Sequence, residues 1–135
     1  MSNCCKKTNT HKIHLHGHDF ALLAQGTNSS LLSNATLKWD NPPRRDVALL
    51  PAGGYLVIAF KADNPGSWLL HCHIAWHASS GLALQILERQ EDFKKMMTDE
   101  KMAETQRVCK NWDEWFSDPN NHWEAHGPFQ DDSGI

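Results

Sequence analysis

Two short stretches of the chain, HKIHLHGHDF at residues 11–20 and HCHIAWH at residues 71–77, concentrate side chains that bind metal ions. Together they hold seven of the nine histidines and a cysteine that lies between two of them. Imidazole and thiolate groups are ligands that suit transition metals such as copper and zinc. A structural histidine is usually solitary, so this density favours a metal site over a packing role.

Strand geometry sorts these side chains into two sets, because successive residues of a strand point to opposite faces of a sheet. In HCH, the two histidines share one face and Cys72 lies on the other. In HKIHLH, the second and third histidines share a face, whereas His11, an odd number of residues earlier, points the opposite way. One set is therefore made of histidines alone: His14, His16, His71 and His73. The other set combines two imidazoles with a thiol: His11, Cys72 and, through the turn that follows, His77.

The mixed set matches the trigonal ligands of a blue, or type 1, copper site, which has two histidines, one cysteine and a weak axial ligand. The usual axial residue is a methionine, but the residue ten after Cys72 is Leu82, which cannot coordinate. The absence of an axial donor favours Cu(I) and should raise the reduction potential. Since Cys72 separates His71 from His73, one short piece of backbone joins both sets. This arrangement suits an enzyme that oxidises at one site and reduces at another.

Zinc is the alternative metal, since histidine and cysteine also bind tetrahedral zinc. A single zinc site would not need a cysteine separated from four histidines, however, and this separation favours copper. We expect His18 to lie beside the ligands or towards solvent, and His122 and His126 to lie outside both sites.

The elements that must position these residues are predicted to be short strands. Residues 12–25 alternate like a strand, a polar loop follows at 26–46, and a Pro-Ala-Gly-Gly turn precedes a strand at 55–61. Further strands are expected at SWLLHCH and LALQILE. This spacing is typical of a β-sandwich. Five or six strands are visible, fewer than the seven of a closed sandwich, so the chain resembles part of a domain.

The missing strands would leave apolar faces without partners. Leu56, Ile58 and Phe60 are expected on one such face, and Leu84 and Ile86 on another. From about residue 88 the apolar residues recur every three or four positions, which predicts a helix that Thr98 or Asp99 caps and Asp118-Pro119 ends.

Composition excludes several classes of function. The chain has 135 residues and a net charge of −3, which does not indicate a nucleic-acid partner. No apolar run reaches the ~18 residues of a membrane span. The opening MSNCCKKTNT has no apolar stretch of the kind found in secretory signals. Asn28 and Asn34 each begin an Asn-X-Ser/Thr triplet and are glycosylation candidates.

The two histidine stretches, together with NPPRRDVALLPAGGYLVIAFKADNPGSWLLHCHIAWH, resemble the C-terminal copper signatures of multicopper oxidases, specifically of ascomycete laccases. The resemblance covers about residues 11–116. It implies an all-β fold, part of a third cupredoxin domain with a Greek-key β-sandwich and a helical extension. The implied divisions are an atypical segment at 1–10, the C-terminal half of the cupredoxin domain at 11–88, a helical extension at 89–117 and an extended tail at 118–135.

The resemblance also assigns roles to single residues. The implied type 1 copper ligands are His11, Cys72 and His77, with Leu82 at the axial position. The implied type 2 ligand is His14, and the type 3 ligands are His16, His71 and His73. Cys72 and His77 would relay electrons, while Trp76 and His77 would contact the substrate, although packing alone is the alternative for Trp76. Cys109 resembles a cysteine that bridges to a first domain, and the terminal DSGI resembles a plug of the solvent channel.

The function implied is that of a laccase, which oxidises phenols one electron at a time and reduces dioxygen to water. In that family half of the histidines of the type 2 and type 3 cluster come from another cupredoxin domain, so the isolated chain is not expected to reduce dioxygen. The alternatives are a small type 1 copper protein for electron transfer, or an inactive truncated product. Lys12 departs from the proline usual after the first histidine. The resemblance further implies an extracellular glycoprotein that lacks its own signal peptide here.

Overall fold

The computed structural model describes residues 10–121, which form two antiparallel sheets followed by helices. This part of the chain contains seven strands: β1 (His11–Leu15), β2 (Phe20–Gly26), β3 (Arg44–Arg45), β4 (Val47–Leu50), β5 (Tyr55–Ala59), β6 (Gly66–Cys72) and β7 (Ala83–Glu88). Its helices are α1 (Ala75–Ser79), α2 (Gln90–Met96) and α3 (Asp99–Ser117), with 3₁₀ turns at Ser29–Asn34 and Pro119–Asn121.

The order of the strands brings the two histidine stretches side by side. One sheet has the order β4-β1-β6-β7 and the other has the order β3-β2-β5. Strands β1 and β6 are antiparallel neighbours, with His14 opposite His71 and Ile13 opposite Cys72. The first histidine stretch therefore lies directly against the second in the middle of the larger sheet.

The predicted β-sandwich followed by helices is confirmed, but the expected strand count is too low. Strand β3 pairs only two residues with β2, so it is too short to produce an alternating pattern. The segment 12–25 is also two strands, because the chain turns at Gly17, whose φ is +71°. Glycine adopts this left-handed backbone conformation without the steric cost that a side chain would add.

Both sheets contribute to one apolar core. Leu15 and Phe20 are fully buried at its centre, together with Ala48. The partly buried residues that pack against this cluster are Leu56, Ile58, Phe60, Trp68, Leu70 and Ile86. The sequence predicts no packing partners for Leu56, Ile58, Phe60 and Ile86. That expectation is wrong, because these side chains pack against the core. Leu84, in contrast, is 53% exposed.

The helical segment begins where the sequence predicts. The hydroxyl of Thr98 accepts a hydrogen bond from the amide of Lys101, which caps α3, and Asp118 follows its last residue. No residue of α3 is buried, and its larger apolar side chains are exposed: Met102, Val108, Trp112, Trp115 and Phe116. Among residues 10–121, no helix combines the length and the apolar character that crossing a membrane requires.

Several expectations lie outside the described residues. They concern the segment at 1–9, most of the predicted tail, the bystander role of His122 and His126, and the terminal DSGI.

Replacing Gly17 with alanine is expected to lower the free energy of unfolding by about 1–3 kcal/mol, from backbone strain and a clash. A Cβ at this position would lie 2.6–2.8 Å from three ring atoms of Trp68. Gly53→Ala is the matched control, because Gly53 has a similar φ of +64° but no heavy atom within 4 Å of the added carbon. Urea titration should show a larger loss for Gly17→Ala, and equal losses would contradict the packing of the turn against Trp68.

Candidate metal centre

The mixed set of donors is assembled where β1, β6 and α1 meet. The Nδ1 atoms of His11 and His77 lie 3.1 Å apart. The sulfur of Cys72 lies 3.6 Å from the Nδ1 of His11 and 3.5 Å from that of His77. Cys72 is completely buried, and the two histidines are half-buried. The short helix α1, instead of the predicted turn, carries His77 back to the strand.

These three atoms fit a metal ion. A point equidistant from the corners of a triangle with sides of 3.1, 3.5 and 3.6 Å lies about 2 Å from each corner, close to the length of a metal–nitrogen bond. Two imidazole nitrogens and one sulfur are also the donor types of a trigonal copper site. The donor set and its spacing therefore suit the metal predicted from the sequence.

Backbone hydrogen bonds hold Leu82 beside this set. The amide of Cys72 donates to the carbonyl of Leu82, and the amide of Leu82 donates to the carbonyl of His77, each at 3.0 Å. A cavity of about 100 Å³ adjoins Cys72 and is lined mainly by apolar residues, including Leu82 and Ile13. The surroundings of the sulfur thus offer aliphatic carbon on this side.

The histidine set lies on the other face of the same strands. The Nε2 atoms of His16 and His71 are 3.0 Å apart, and ligand atoms of His14, His16 and His71 all fall within 4.8 Å of one another. The ring of His73 lies 5.6 Å from that of His14 and 5.7 Å from that of His71, measured between centroids. The structure therefore separates the candidates into the two groups that strand parity predicts.

Backbone carbonyls orient two of these rings. The Nδ1 of His14 donates to the carbonyl of Asp46 at 2.8 Å, and the Nδ1 of His71 donates to the carbonyl of Cys72 at 3.0 Å. A carbonyl only accepts, so each Nδ1 carries the hydrogen and each neutral ring keeps a lone pair on Nε2. Hydrogen bonds of this kind fix the tautomer and direction of metal-binding histidines. No local pattern in the sequence indicates this role of Asp46, which depends on the pairing of β1 with β4.

The surroundings favour the neutral form of one histidine in each set. Burial, and then the nearby His77, lower the pKa of His11 below 6.5. Burial lowers the pKa of His16 below the same value, and the neighbouring charges of His14, His71 and His73 lower it further. Because metals bind the deprotonated ring, these shifts keep both histidines ready to bind at neutral pH.

The metal-free chain is expected to lose stability as the pH falls below about 6.5. The pKa values of His11 and His16 are lower in the folded state, so the unfolded chain binds more protons between those values and 6.5. The contribution of the two histidines to the free energy of unfolding is complete above pH 6.5. It is lost as the pH falls from 6.5 to their lowered pKa values. Urea midpoints at several pH values should show this decline, and it should be smaller in His11→Gln and His16→Gln. A midpoint that rises on acidification would contradict the sign of both shifts.

The other predicted residues lie as follows. Trp76 is 52% exposed and precedes His77 on α1. Asn28 and Asn34 are exposed, and the side chain of Asn28 accepts a hydrogen bond from the amide of Ser30. Cys109 is exposed and forms no disulfide with another described residue. His18 is buried beside the ligands rather than facing solvent, and it contacts Glu88, a residue that the sequence did not single out.

Comparisons with known proteins agree with this geometry. Residues 3–92 match the family model described as multicopper oxidase. A laccase of Arthroderma benhamiae is 60% identical over 126 residues, which is 93% of this chain and 20% of that protein. The crystal structure of a laccase from Botrytis aclada superposes with a TM-score of 0.67 and 50% identity, covering 95% of this chain and 22% of the other.

A more distant solved structure, a multicopper oxidase that functions in iron import, has a TM-score of 0.57 and 33% identity over 76% of this chain and 22% of that one. The chain therefore spans about a fifth of the length of the relatives that it matches.

Proposed function

Because this chain belongs to the multicopper oxidase family, we propose that it is the copper-binding C-terminal part of a laccase-type oxidase. Such an enzyme oxidises phenols and reduces dioxygen to water. The observation that carries the proposal is the triangle of His11, Cys72 and His77, which lies back to back with the histidine set on the same strands. Laccase is favoured over an iron oxidase because the laccase structure matches better, at 50% identity against 33%.

Copper held by the mixed set would accept single electrons from a phenol, and copper held by the histidine set would take part in dioxygen reduction. The ligands of the first site are proposed to be His11, Cys72 and His77. The ligands of the second are proposed to be His14 as the type 2 ligand and His16, His71 and His73 as type 3 ligands.

The substrate end of the proposed site is at α1. His77 is partly exposed, so a phenol can approach its ring without passing through the core. Trp76, the residue before it, presents an aromatic surface that is 52% exposed. We propose that Trp76 contacts the phenol ring by stacking and that His77 is where electrons enter the protein.

Within residues 71–73, the two sets are connected both through the backbone and through a hydrogen bond. Cys72 is bonded through the backbone to His71 and to His73. The hydrogen bond from the Nδ1 of His71 to the carbonyl of Cys72, 3.0 Å long, adds a second connection. Both connections are short and buried, because Cys72 is fully buried and His71 is 1% exposed. This arrangement supports the proposed relay from the thiolate to the histidine set.

The histidine set would be half of a cluster that the family completes with histidines from another domain. We therefore propose that the N-terminal cupredoxin domains of the family are the partner of this face. Dioxygen reduction belongs to the whole enzyme, not to these 135 residues alone.

The experiment is anaerobic addition of hydroquinone to the copper-loaded chain. The visible thiolate-to-copper absorption is expected to bleach, since the mixed set would take electrons from the phenol. In air the same chain is expected to show no sustained oxygen uptake. Absorption that persists with excess hydroquinone would contradict phenol oxidation, and steady uptake abolished by His71→Ala would contradict the need for a partner domain.

A second candidate function is a small electron-transfer protein that uses the mixed set alone. The specific observation in its favour is that all three donors of that set lie within this chain. It predicts that His14→Ala leaves the redox behaviour of the copper-loaded chain unchanged even when the N-terminal domains are supplied. Loss of oxygen uptake in that reconstituted mixture would favour the laccase.

Location and modification are part of the proposal. Fungal laccases are among the relatives of this chain, and we propose that the complete protein is extracellular. Asn28 and Asn34 are the proposed glycan sites, because both are exposed near the 3₁₀ turn at Ser29–Asn34. Mass spectrometry of the protein secreted by a fungal host should find glycan on these two asparagines.

A further inference from the structure

A buried ionisable pair lies beside the histidine set and takes no part in the proposed chemistry. The Nε2 of His18 lies 3.0 Å from an Oε1 of Glu88, and their side chains are only 5% and 2% exposed. Neither group has a well-aligned hydrogen bond at these atoms among the described residues, although the distance is that of an ion pair. Burying a carboxylate without aligned donors costs free energy. A function for the pair would explain this cost.

The other nitrogen of His18 connects the pair to a proposed ligand. The Nδ1 of His18 donates to the carbonyl of His16 at 2.9 Å. The Nδ1 of His18 is therefore occupied by a carbonyl, and its Nε2 faces Glu88 at the distance of an ion pair. His18 is thus placed to hold the backbone of His16 instead of binding a metal itself.

The turn after His16 is held from further sides. The amide of His16 donates to the carbonyl of Leu69 at 2.9 Å. The side-chain amide of Asn64 donates to the carbonyl of Gly17 at 3.0 Å, and the indole of Trp68 fills the space above Gly17. Both peptide groups of His16 are consequently fixed, and its ring is left facing His71.

We infer that His18 and Glu88 are positioning residues for His16, and through it for the histidine set. The inference rests on the proposed function, since it concerns a residue proposed there as a copper ligand. Glu88, on β7, holds the ring of His18, and that ring holds the carbonyl of His16. Loss of either side chain lets the turn shift, so the Nε2 of His16 moves away from that of His71.

The consequence is selective. Mutation of a residue that hydrogen-bonds to a metal ligand typically lowers metal affinity by about 10–100-fold. We expect a loss of about tenfold in the affinity of the histidine set for Cu²⁺ in Glu88→Gln and His18→Gln. The mixed set should bind as before, because in the part of the chain that the structure describes neither His18 nor Glu88 makes a hydrogen bond or ion pair with its three residues.

The first arm of the experiment uses the metal-free 135-residue chain. Nuclear Overhauser contacts between the rings of His16 and His71 are expected to weaken in each variant, because the intensity of such a contact falls steeply as the protons move apart. Contacts between His11 and His77 should persist, which shows that the fold is retained. Glu91→Gln is the matched control, because Glu91 pairs with Lys94 on the surface and its loss should change neither contact.

Two results of this arm would overturn the inference. One is an unchanged His16–His71 contact in both variants. The other is equal loss of the His11–His77 contact, which would indicate a general structural role. The double variant should be no worse than either single variant, because the two side chains act in series.

The second arm measures Cu²⁺ binding in the Cys72→Ser background, where the histidine set is the remaining proposed site. A tenfold loss in Glu88→Gln but not in Glu91→Gln supports the inference. If the parent binds no Cu²⁺ there, the histidine set needs the partner domain to hold copper, as the proposed function allows, and the metal-free contacts alone decide the role of the pair. Normal binding by the parent with equal affinity in both variants overturns the inference alone.

Discussion

Cys72→Ser is expected to abolish the intense visible absorption of the copper-loaded chain. The absorption requires charge transfer from a thiolate to copper, and a serine hydroxyl neither ionises at neutral pH nor supplies sulfur orbitals. Affinity at the mixed set should also fall by more than about 100-fold, the upper end for residues that merely support a ligand. The buried position of Cys72, 3.5 and 3.6 Å from two imidazole nitrogens, is the structural reason.

Cys109→Ser supplies the control, since Cys109 is an exposed cysteine on α3. The copper-loaded spectrum of this variant should match that of the parent chain. Absorption that survives Cys72→Ser, or that disappears with Cys109→Ser, would show that Cys72 is not the cysteine that binds copper.

Phe20→Ala is expected to have the largest effect on stability, about 3–5 kcal/mol. Phe20 is fully buried and begins β2, where it packs with Leu15 of β1 between the two sheets. A domain of this size is stable by only about 5–15 kcal/mol, so the variant should be largely unfolded in modest urea. Both metal-binding sets should fail with it, because β1 carries ligands of each.

Leu49→Ala tests whether burial, not residue type, causes that loss. Leu49 lies on the edge strand β4 and is 50% exposed. Its removal should change the free energy of unfolding by about 1 kcal/mol or less. Similar urea midpoints for the two variants would mean that the sheets do not pack around Phe20.

The site was more predictable from the sequence than the surrounding fold. Alternation along a strand needs no knowledge of its partners. HCH was therefore enough to place Cys72 on the face opposite to its two neighbouring histidines, and HKIHLH was enough to place His11 opposite to the two histidines that follow it. The resemblance to fungal laccases is confirmed, at 60% identity to one of them. Each motif is short, and the side of the strand on which each of its residues lies depends on that short stretch alone.

Features that depend on distant parts of the chain were not predictable. The contact between His18 and Glu88 needs the register of β7, which pairs Gly66 with Glu88. The covering of Leu56 and Ile58 needs the second sheet to close over the first, and no local pattern reports that closure. Strand parity also could not show that His77 returns to the site on a single turn of helix.

X-ray absorption at the copper edge of the chain loaded with one equivalent of copper tests the central claim most directly, because it counts the donor atoms. The account predicts one sulfur and two nitrogen neighbours, from Cys72, His11 and His77, and loss of the sulfur in Cys72→Ser. A shell of nitrogen alone in the parent chain would place copper in the histidine set and contradict the account.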